Sequence, residues 1–273
     1  MPLQDILTHL LDPSERTRWD AALARNARDV PKGMDMAREG EEPQALRVML
    51  SGWAMRYTQL PDGRRQIVGL CLPGDLCDLD LFTVMRSDHS LATVRRSTIA
   101  ELGLGELREV MAACPGLSQA LCRSEIVSSA IQREWLTSLG QRSAIERVAH
   151  LFCELFVRQR GHWPIEAGRS RSCDFFLTQS QIAEVTGLTQ VHVNRTVQQL
   201  RQSHGVELRQ LRLDIPDFAA LARRAAFSPQ YLHLAEAGPM TAMAEVLFRS
   251  AHPPFREAWL SAMFEGRQPS PAT

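Results

Sequence analysis

The chain has 273 residues, 44% of them hydrophobic and 23% charged, so it reads as an ordinary soluble globular protein long enough for two domains. Its 31 basic residues balance 31 acidic ones. Zero net charge excludes a global basic excess, and any nucleic-acid footprint has to come from local clustering. Six cysteines (Cys71, Cys77, Cys114, Cys122, Cys153, Cys173) are scattered without a Cys-x-x-Cys pair or zinc-finger spacing, which points to reduced, mostly buried thiols. Asp5 precedes any basic residue and no long apolar run follows, so neither a signal peptide nor a membrane span is expected and a cytoplasmic location is.

Residues 3 to about 26 carry Leu7, Leu10, Leu11, Trp19 and Leu23 at helical spacing, broken by Asp12-Pro13. From about 27 to 104 short apolar alternations are separated by Gly33, Gly40, Gly52, Asp62-Gly63 and Pro73-Gly74, the pattern of many antiparallel strands and tight turns. Residues 47–57 and 65–72 make the clearest strands. A compact barrel or roll fits best.

After Gly105 the period becomes helical, and Pro115 suits the first turn of a long helix running to about Leu139. Leu117, Leu121, Val127, Ile131, Trp135 and Leu139 recur mostly at spacings of three, four or seven. That seam is expected to pair with a second copy, the alternative being that it covers the barrel. Leu139 to Ser143 is the candidate hinge, and a further helix is predicted from about Ser143 to Arg158.

Leu177 to Leu200 reads as two short helices around Gly187, a helix-turn-helix. Thr178 caps the first helix, whose Ile182, Ala183 and Val185 face inward, and Thr189 caps the second. Val193, Val197 and Leu200 form the second helix's inner side. Gln190, Val191, His192, Asn194 and Arg195 then project where base edges are met in a major groove. Between Thr178 and Leu213, Arg195, Arg201, Arg209 and Arg212 stand against Glu184 and Glu207, a mild excess of two positive charges. Lys32 is the sole lysine; arginine suits bidentate contacts to guanine or phosphate, although codon bias explains the same preference. Residues 206–209 and 212–215 form a minimal strand pair, a wing. From about 237 onward two amphipathic segments, 240–250 and 255–264, carry no readable motif.

A β-roll, a long helix and a C-terminal winged helix-turn-helix, in that order, resemble the Crp/Fnr family of bacterial transcription regulators over about residues 10–232. Three stretches carry the likeness: Leu177–Gln202; Leu60-Pro-Asp-Gly-Arg-Arg-Gln-Ile with Leu72-Pro-Gly-Asp-Leu; and Ser143-Ala-Ile-Glu-Arg-Val-Ala-His-Leu. The resemblance implies an α+β protein. Its parts are an antiparallel, cyclic-nucleotide-binding-like β-roll sensor over 1–114, a dimerisation helix and hinge over 115–142, a DNA-binding domain over 143–236 and an extension of unassigned role over 237–273. It also implies double-stranded DNA, a second copy and RNA polymerase as partners.

In members responsive to cyclic AMP a Gly-Glu-Leu-Gly segment and an Arg-Ser pair hold the ribose and cyclic phosphate. Here the matching positions read Cys77-Asp78-Leu79-Asp80 and His89-Ser90. A neutral histidine lacks the guanidinium fork and the two aspartates repel a phosphate, so the expected signal is not cyclic AMP. Iron–sulfur members carry an N-terminal cysteine cluster; here the first cysteine is Cys71, and no cofactor is expected. Cys77, Asp78, Asp80 and His89 are ligand types for a metal but match no strong signature, so turn residues or a pocket for an unidentified small molecule stand ahead of a metal site. Gln132 and Arg133 fall where related proteins place ligand-facing residues, and with Asp78, His89 and Ser90 they make the expected pocket.

For DNA, Arg195 has the reach to donate twice to guanine, Gln190 and Asn194 suit adenine, and Val191 offers a methyl surface to thymine. Many family members have glutamate where Val191 stands, so a different half-site is expected. Thr178, Thr189, His192, Gln199 and Arg201 are placed for phosphates. The competing reading is a protein-interaction module built on the same folds. Enzymatic chemistry finds no His-x-His pair or facial triad and is not expected.

Overall fold

The computed structural model describes residues 10–79, 85–160 and 171–234. Helix α1 (Pro13–Arg25) starts at a capping box in which Asp12 accepts from the Ser14 and Glu15 amides and Glu15 reaches back to the Asp12 amide. Trp19 and Ala22 seat it on the roll. Among the described residues eight strands follow: β1 (Ala27–Val30), β2 (Asp35–Ala37), β3 (Ala45–Ser51), β4 (Ala54–Gln59), β5 (Arg65–Cys71), β6 (Leu76–Asp78), β7 (Ser90–Thr93) and β8 (Ser97–Gly103). They make two antiparallel sheets, ordered β1-β8-β3-β6 and β2-β7-β4-β5. The apolar residues between them include Val30, Met49, Ala54, Cys71, Cys77, Leu91 and Ile99.

The predicted single strand over 47–57 is two strands in different sheets. Gly52 adopts φ +81° between them, and a β-carbon there would collide with Ser97. Only glycine turns this corner without strain.

Helix α2 (Leu104–Ala113) leads through Cys114 to the long helix α3 (Pro115–Gln141), and α4 (Ala144–Arg160) begins after the Arg142–Ser143 corner. Strand β9 (Ser172–Asp174), helices α5 (Gln179–Thr186) and α6 (Gln190–His204), strands β10 (Glu207–Arg209) and β11 (Arg212–Asp214) and helix α7 (Phe218–Arg224) complete the C-terminal part. The wing has three strands, ordered β10-β11-β9, one more than the two predicted. A 3-10 turn (Pro229–Leu232) packs back on α3 and α4, where Tyr231 donates to Glu154 and Arg123 to the His233 carbonyl. The extension 237–273 and Asp80 lie outside the described residues.

The stripe expected to pair with a second copy is packed inside its own chain. Leu117 and Leu121 belong to the core holding Trp19, Leu46, Leu102 and Leu107. Val127, Ile131 and Trp135 join Trp53, Phe152 and Phe156, and the Trp135 indole donates to Glu154 at 2.9 Å. All five are at most 8% exposed. The physical reason is that α3 lies across both halves of the molecule, so its strongest apolar stripe covers the roll and α4. A second stripe faces outward: Cys122, Ile126 (53% exposed), Ser129, Arg133 and Leu136 (71% exposed), again at spacings of four and three.

Candidate nucleic-acid interface

The two helices that carry the predicted recognition residues are set by their caps. Thr178 Oγ1 accepts from the Gln181 amide at 3.2 Å while Gln181 Oε1 accepts from the Thr178 amide at 2.9 Å, a complete capping box. Gly187 ends α5 at φ +62°, with Leu139 Cδ2 only 3.0 Å from where a β-carbon would stand. Thr189 Oγ1 then accepts from the His192 amide at 3.2 Å, and Gly205 ends α6 at φ +66°. Short helices need such caps, because their unpaired amides and carbonyls are a large share of their backbone.

Val193, Thr196 and Leu200 are buried beneath α6 and Val197 is half-buried. Gln190, Val191, His192, Asn194 and Arg195 are exposed together on its outer N-terminal face, with Gln199 and Arg201 further along. Val191 is 72% exposed, a large apolar surface on a polar face. Asn194 Nδ2 donates to Gln179 Oε1 at 3.2 Å, tying the outer faces of α5 and α6. Gln179 escaped the sequence reading; the signal for it was its place directly after the Thr178 cap. Glu207 accepts from Arg209 at 3.1 Å and lies 3.5 Å from Arg201, so the wing is held beside α6 by charge as well as by its strands.

Three arginines, Arg65, Arg147 and Arg158, fix this unit on the rest of the chain, and a fourth, Arg56, fixes the roll on α3. Arg65 of β5 grips Glu184 of α5 bidentately at 2.8 and 3.1 Å, and Gln66 donates to the Val185 carbonyl. Arg158 of α4, 3% exposed, donates to Asp75 at 2.6 Å, to the Leu70 carbonyl at 2.9 Å and to Glu154 at 3.3 Å. Arg147 joins the Leu139 and Arg142 carbonyls at the predicted hinge to the Thr186 carbonyl at the end of α5. Arg56 of β4 donates to the Leu76 and Cys77 carbonyls and to Ser128 of α3. Beside the hinge, Glu134 accepts from Arg142 at 2.6 Å and lies 3.2 Å from His150 Nε2, and these two neighbours hold its carboxyl at about 2 against the opposing effect of burial.

Two domain families match the chain: a Crp-like helix-turn-helix domain over residues 146–224 and a cyclic nucleotide-binding domain over residues 27–114. The fumarate and nitrate reduction regulatory protein of Yersinia pestis is 25% identical over 219 residues, 79% of this chain and 84% of its own length. The nitrogen fixation regulation protein FixK of Bradyrhizobium diazoefficiens is 30% identical over 157 residues, 58% and 63% of the two lengths. The chain belongs to the Crp/Fnr family. As a Crp/Fnr protein it is a transcription regulator with a helix-turn-helix DNA-binding domain, and not an enzyme. The solved structure of FixK2 from Bradyrhizobium japonicum shares the fold, with a TM-score of 0.63 at 20% identity, covering 74% of this chain and 98% of that one. No helix among the described residues of this Crp/Fnr chain is long and apolar enough to cross a membrane.

The pocket residues expected from the resemblance do not converge. Asp78 is buried in an ion pair with Arg47 at 3.0 Å, Ser90 Oγ accepts from the Glu39 amide, His89 lies 2.7 Å from Asp88, and Arg133 is exposed. Asp78 and Ser90 are spent on holding strands, which short polar side chains do well and which spacing alone cannot reveal. Gln132 does line a cavity between roll and α3, but its other polar walls are Arg56, Asp75, Ser124, Ser128 and Arg158. At about 50 Å³ that cavity has room for one or two waters, far below the several hundred Å³ of a small-molecule site.

Proposed function

We propose that this regulator acts as a homodimer on a palindromic site, reading base edges with Gln190, Val191, Asn194 and Arg195 and phosphates with Thr178, Thr189, His192, Gln199 and Arg201. The observation that carries this reading is the shared exposure of these side chains on the cap-defined face of α5 and α6. Arg195 supplies the guanine contact, worth about 1–3 kcal/mol of discrimination, and Val191 favours a thymine methyl. Ile126 and Leu136 on the outward stripe of α3 are the dimer seam in this reading, placing the two recognition helices about one DNA turn apart. The protein works in the cytoplasm with RNA polymerase as a partner, and the roll answers a signal other than a cyclic nucleotide. Support for that last point comes from Arg56, which gives its donors to the Leu76 and Cys77 carbonyls and Ser128, and from the small cavity beside it.

The test is retardation of duplexes selected from a random pool. A palindrome bound with steep salt dependence, and bound about tenfold or more weakly by Arg195→Ala, is the expected result. Selection of no motif, or undiminished binding by Arg195→Ala, overturns the reading in favour of a protein-interaction module.

A further inference from the structure

We infer that the wing is a second DNA-reading element: its tip, Arg209 to Arg212, enters the minor groove beside each half-site and gives the operator a preference for A·T pairs there. The inference rests on the proposed placing of α6 in the major groove. Strands β10 and β11 pair Leu208 with Leu213 and Arg209 with Arg212, so Gln210 and Leu211 form a two-residue turn. Both have positive φ, +50° and +62°. Such a turn favours asparagine and glycine, and here a glutamine and a leucine hold a backbone that their β-carbons disfavour. Arg209 and Arg212 stand directly opposite each other, where like charges repel. Leu211 leaves 61% of its surface in solvent. Three unfavourable choices within four residues, beside two well-capped helices, point to a contact outside the chain. A polyanion relieves the repulsion between the two guanidinium groups, and the sugar walls of a minor groove suit an apolar side chain between them.

The fold sets this tip beside the recognition helix, across a cleft of about 290 Å³. Gln179, Gln198 and Arg201 line it from the helices, and Arg209, Leu211 and Arg212 from the wing. Gln179 also accepts from Asn194, so the cleft continues the face proposed for base reading. In duplex DNA each sugar–phosphate strand divides a major groove from a minor one. A helix in the major groove and a hairpin across the cleft straddle one such strand, and the hairpin then meets the minor groove. The charge of the cleft agrees, with Arg201, Arg209 and Arg212 against Glu207. Glu207 lies 3.1 Å from Arg209 and 3.5 Å from Arg201, and Arg212 bonds Asp174 and Ser172. All three arginine side chains are about half exposed or more, so these pairs are weak enough to yield to phosphate. The tip is held in place, since the Phe175 amide donates to the Leu211 carbonyl at 2.8 Å and Leu213 and Ile215 are buried in the core. A tip set beforehand loses little freedom on binding.

What such a tip can read follows from the groove. The minor groove distinguishes A·T from G·C and little more, and over A·T runs it narrows and its potential becomes more negative. Arg209 and Arg212 therefore favour A·T pairs flanking the positions read by α6, without specifying their order.

The experiment repeats selection from the random pool with three full-length proteins: the natural chain, Arg209→Ala, and the double variant Gln210→Asn with Leu211→Gly. The natural chain should return A·T pairs flanking each half-site, and both variants should lose them while keeping the inner, Arg195-dependent motif. Affinity of each variant for an A·T-flanked duplex should fall about fivefold or more and for a G·C-flanked duplex change little. Arg209→Ala should also shallow the salt dependence by about one unit of slope. The turn variant relieves the left-handed backbone, so it should melt at or above the natural chain, which separates a lost contact from a lost fold. Hydroxyl-radical cleavage should show flanking minor-groove sugars protected by the natural chain alone. Unchanged motif, affinity and protection in both variants overturn the inference and leave the cleft to a protein partner, and a turn variant that melts lower overturns the strain argument. Selection of no motif by the natural chain refutes the DNA reading and this inference with it, whereas an Arg195-dependent motif indifferent to the wing refutes this inference alone.

Discussion

Leu136→Asp separates the two faces of α3. Leu136 is 71% exposed, and full burial of a leucine contributes about 1.5–3 kcal/mol, so covering it in a dimer is worth about 1–2 kcal/mol per copy. Two copies make about 2–4 kcal/mol, which corresponds to about a 30-fold to 1,000-fold weaker dimer once the side chain is replaced by a carboxylate. The monomer should keep its fold, because the side chain touches little of its own chain. Leu121→Ala supplies the contrast: it opens a hole in the core beside Trp19 and Leu107 and should cost about 2–5 kcal/mol of folding stability. Sedimentation across a concentration series measures the first effect and urea unfolding the second. A Leu136→Asp protein that stays dimeric at low micromolar concentration would refute the outward stripe as the seam. Dimer loss in Leu121→Ala without loss of stability would restore the seam read from the sequence.

Three further outcomes follow from the charged pairs. Arg65→Ala and Glu184→Ala, alone and together, should give a coupling of about 1 kcal/mol in urea unfolding, since the pair is bidentate but partly exposed. Glu134 has a carboxyl held at about 2 against an ordinary 4.5, so it contributes stability that is fully present above pH 4.5 and lost as pH falls towards 2. Glu134→Gln should therefore flatten the stability curve across that window by up to about 3 kcal/mol, a ceiling that solvent screening lowers. Arg158→Met should cost about 3–5 kcal/mol because it leaves the fully buried Glu154 without a countercharge, though still bonded by Trp135 and Tyr231, and adding Glu154→Gln should recover part of that loss in the same denaturation assay.

The helix-turn-helix was legible because its information is local. Thr178, Gly187, Thr189 and Gly205 each act on backbone groups within four residues, and a cap or a left-handed turn demands those residue types wherever it occurs. The long helix was legible for the same reason, but its partner was not. An apolar stripe states that a face is covered and leaves open by what, and Leu117 to Trp135 meet their own roll and α4. The failure at residues 47–57 is similar: both halves have strand character, and only the Ser97 backbone, brought in from 45 residues away, shows why Gly52 turns the chain. The expected pocket failed for the reverse reason. Asp78 and Ser90 were judged by the ligand chemistry of their side chains, and the fold had already used that chemistry on Arg47 and the Glu39 amide.

The four arginines that tie the roll, α3 and the C-terminal part together left no trace in the pattern, since all but one of their partners lie 5 to 119 residues away and the exception, Glu154, is an ordinary i,i+4 neighbour of Arg158. Apolar packing between the roll and the C-terminal part, such as Trp53 edge-on to Phe175 and Phe176, holds the two together without fixing one angle, because dispersion and burial are weakly directional. A guanidinium with several planar bonds is directional, and inside a protein each lost bond leaves a charged group short of a partner. Arg65, Arg147 and Arg158 thus add directional ties to the C-terminal part where the apolar contacts are weakly directional, and Arg56 does the same between the roll and α3. Three of them, Arg56, Arg147 and Arg158, take at least one backbone carbonyl as partner, so a small backbone displacement is enough to disturb them. A change of about 1–3 kcal/mol at one such anchor is a 5- to 150-fold change in the balance between orientations. The Leu70–Cys77 segment serves two of the four, since Leu70 and Asp75 accept from Arg158 and Leu76 and Cys77 accept from Arg56, so a displacement of that one segment disturbs both anchors together.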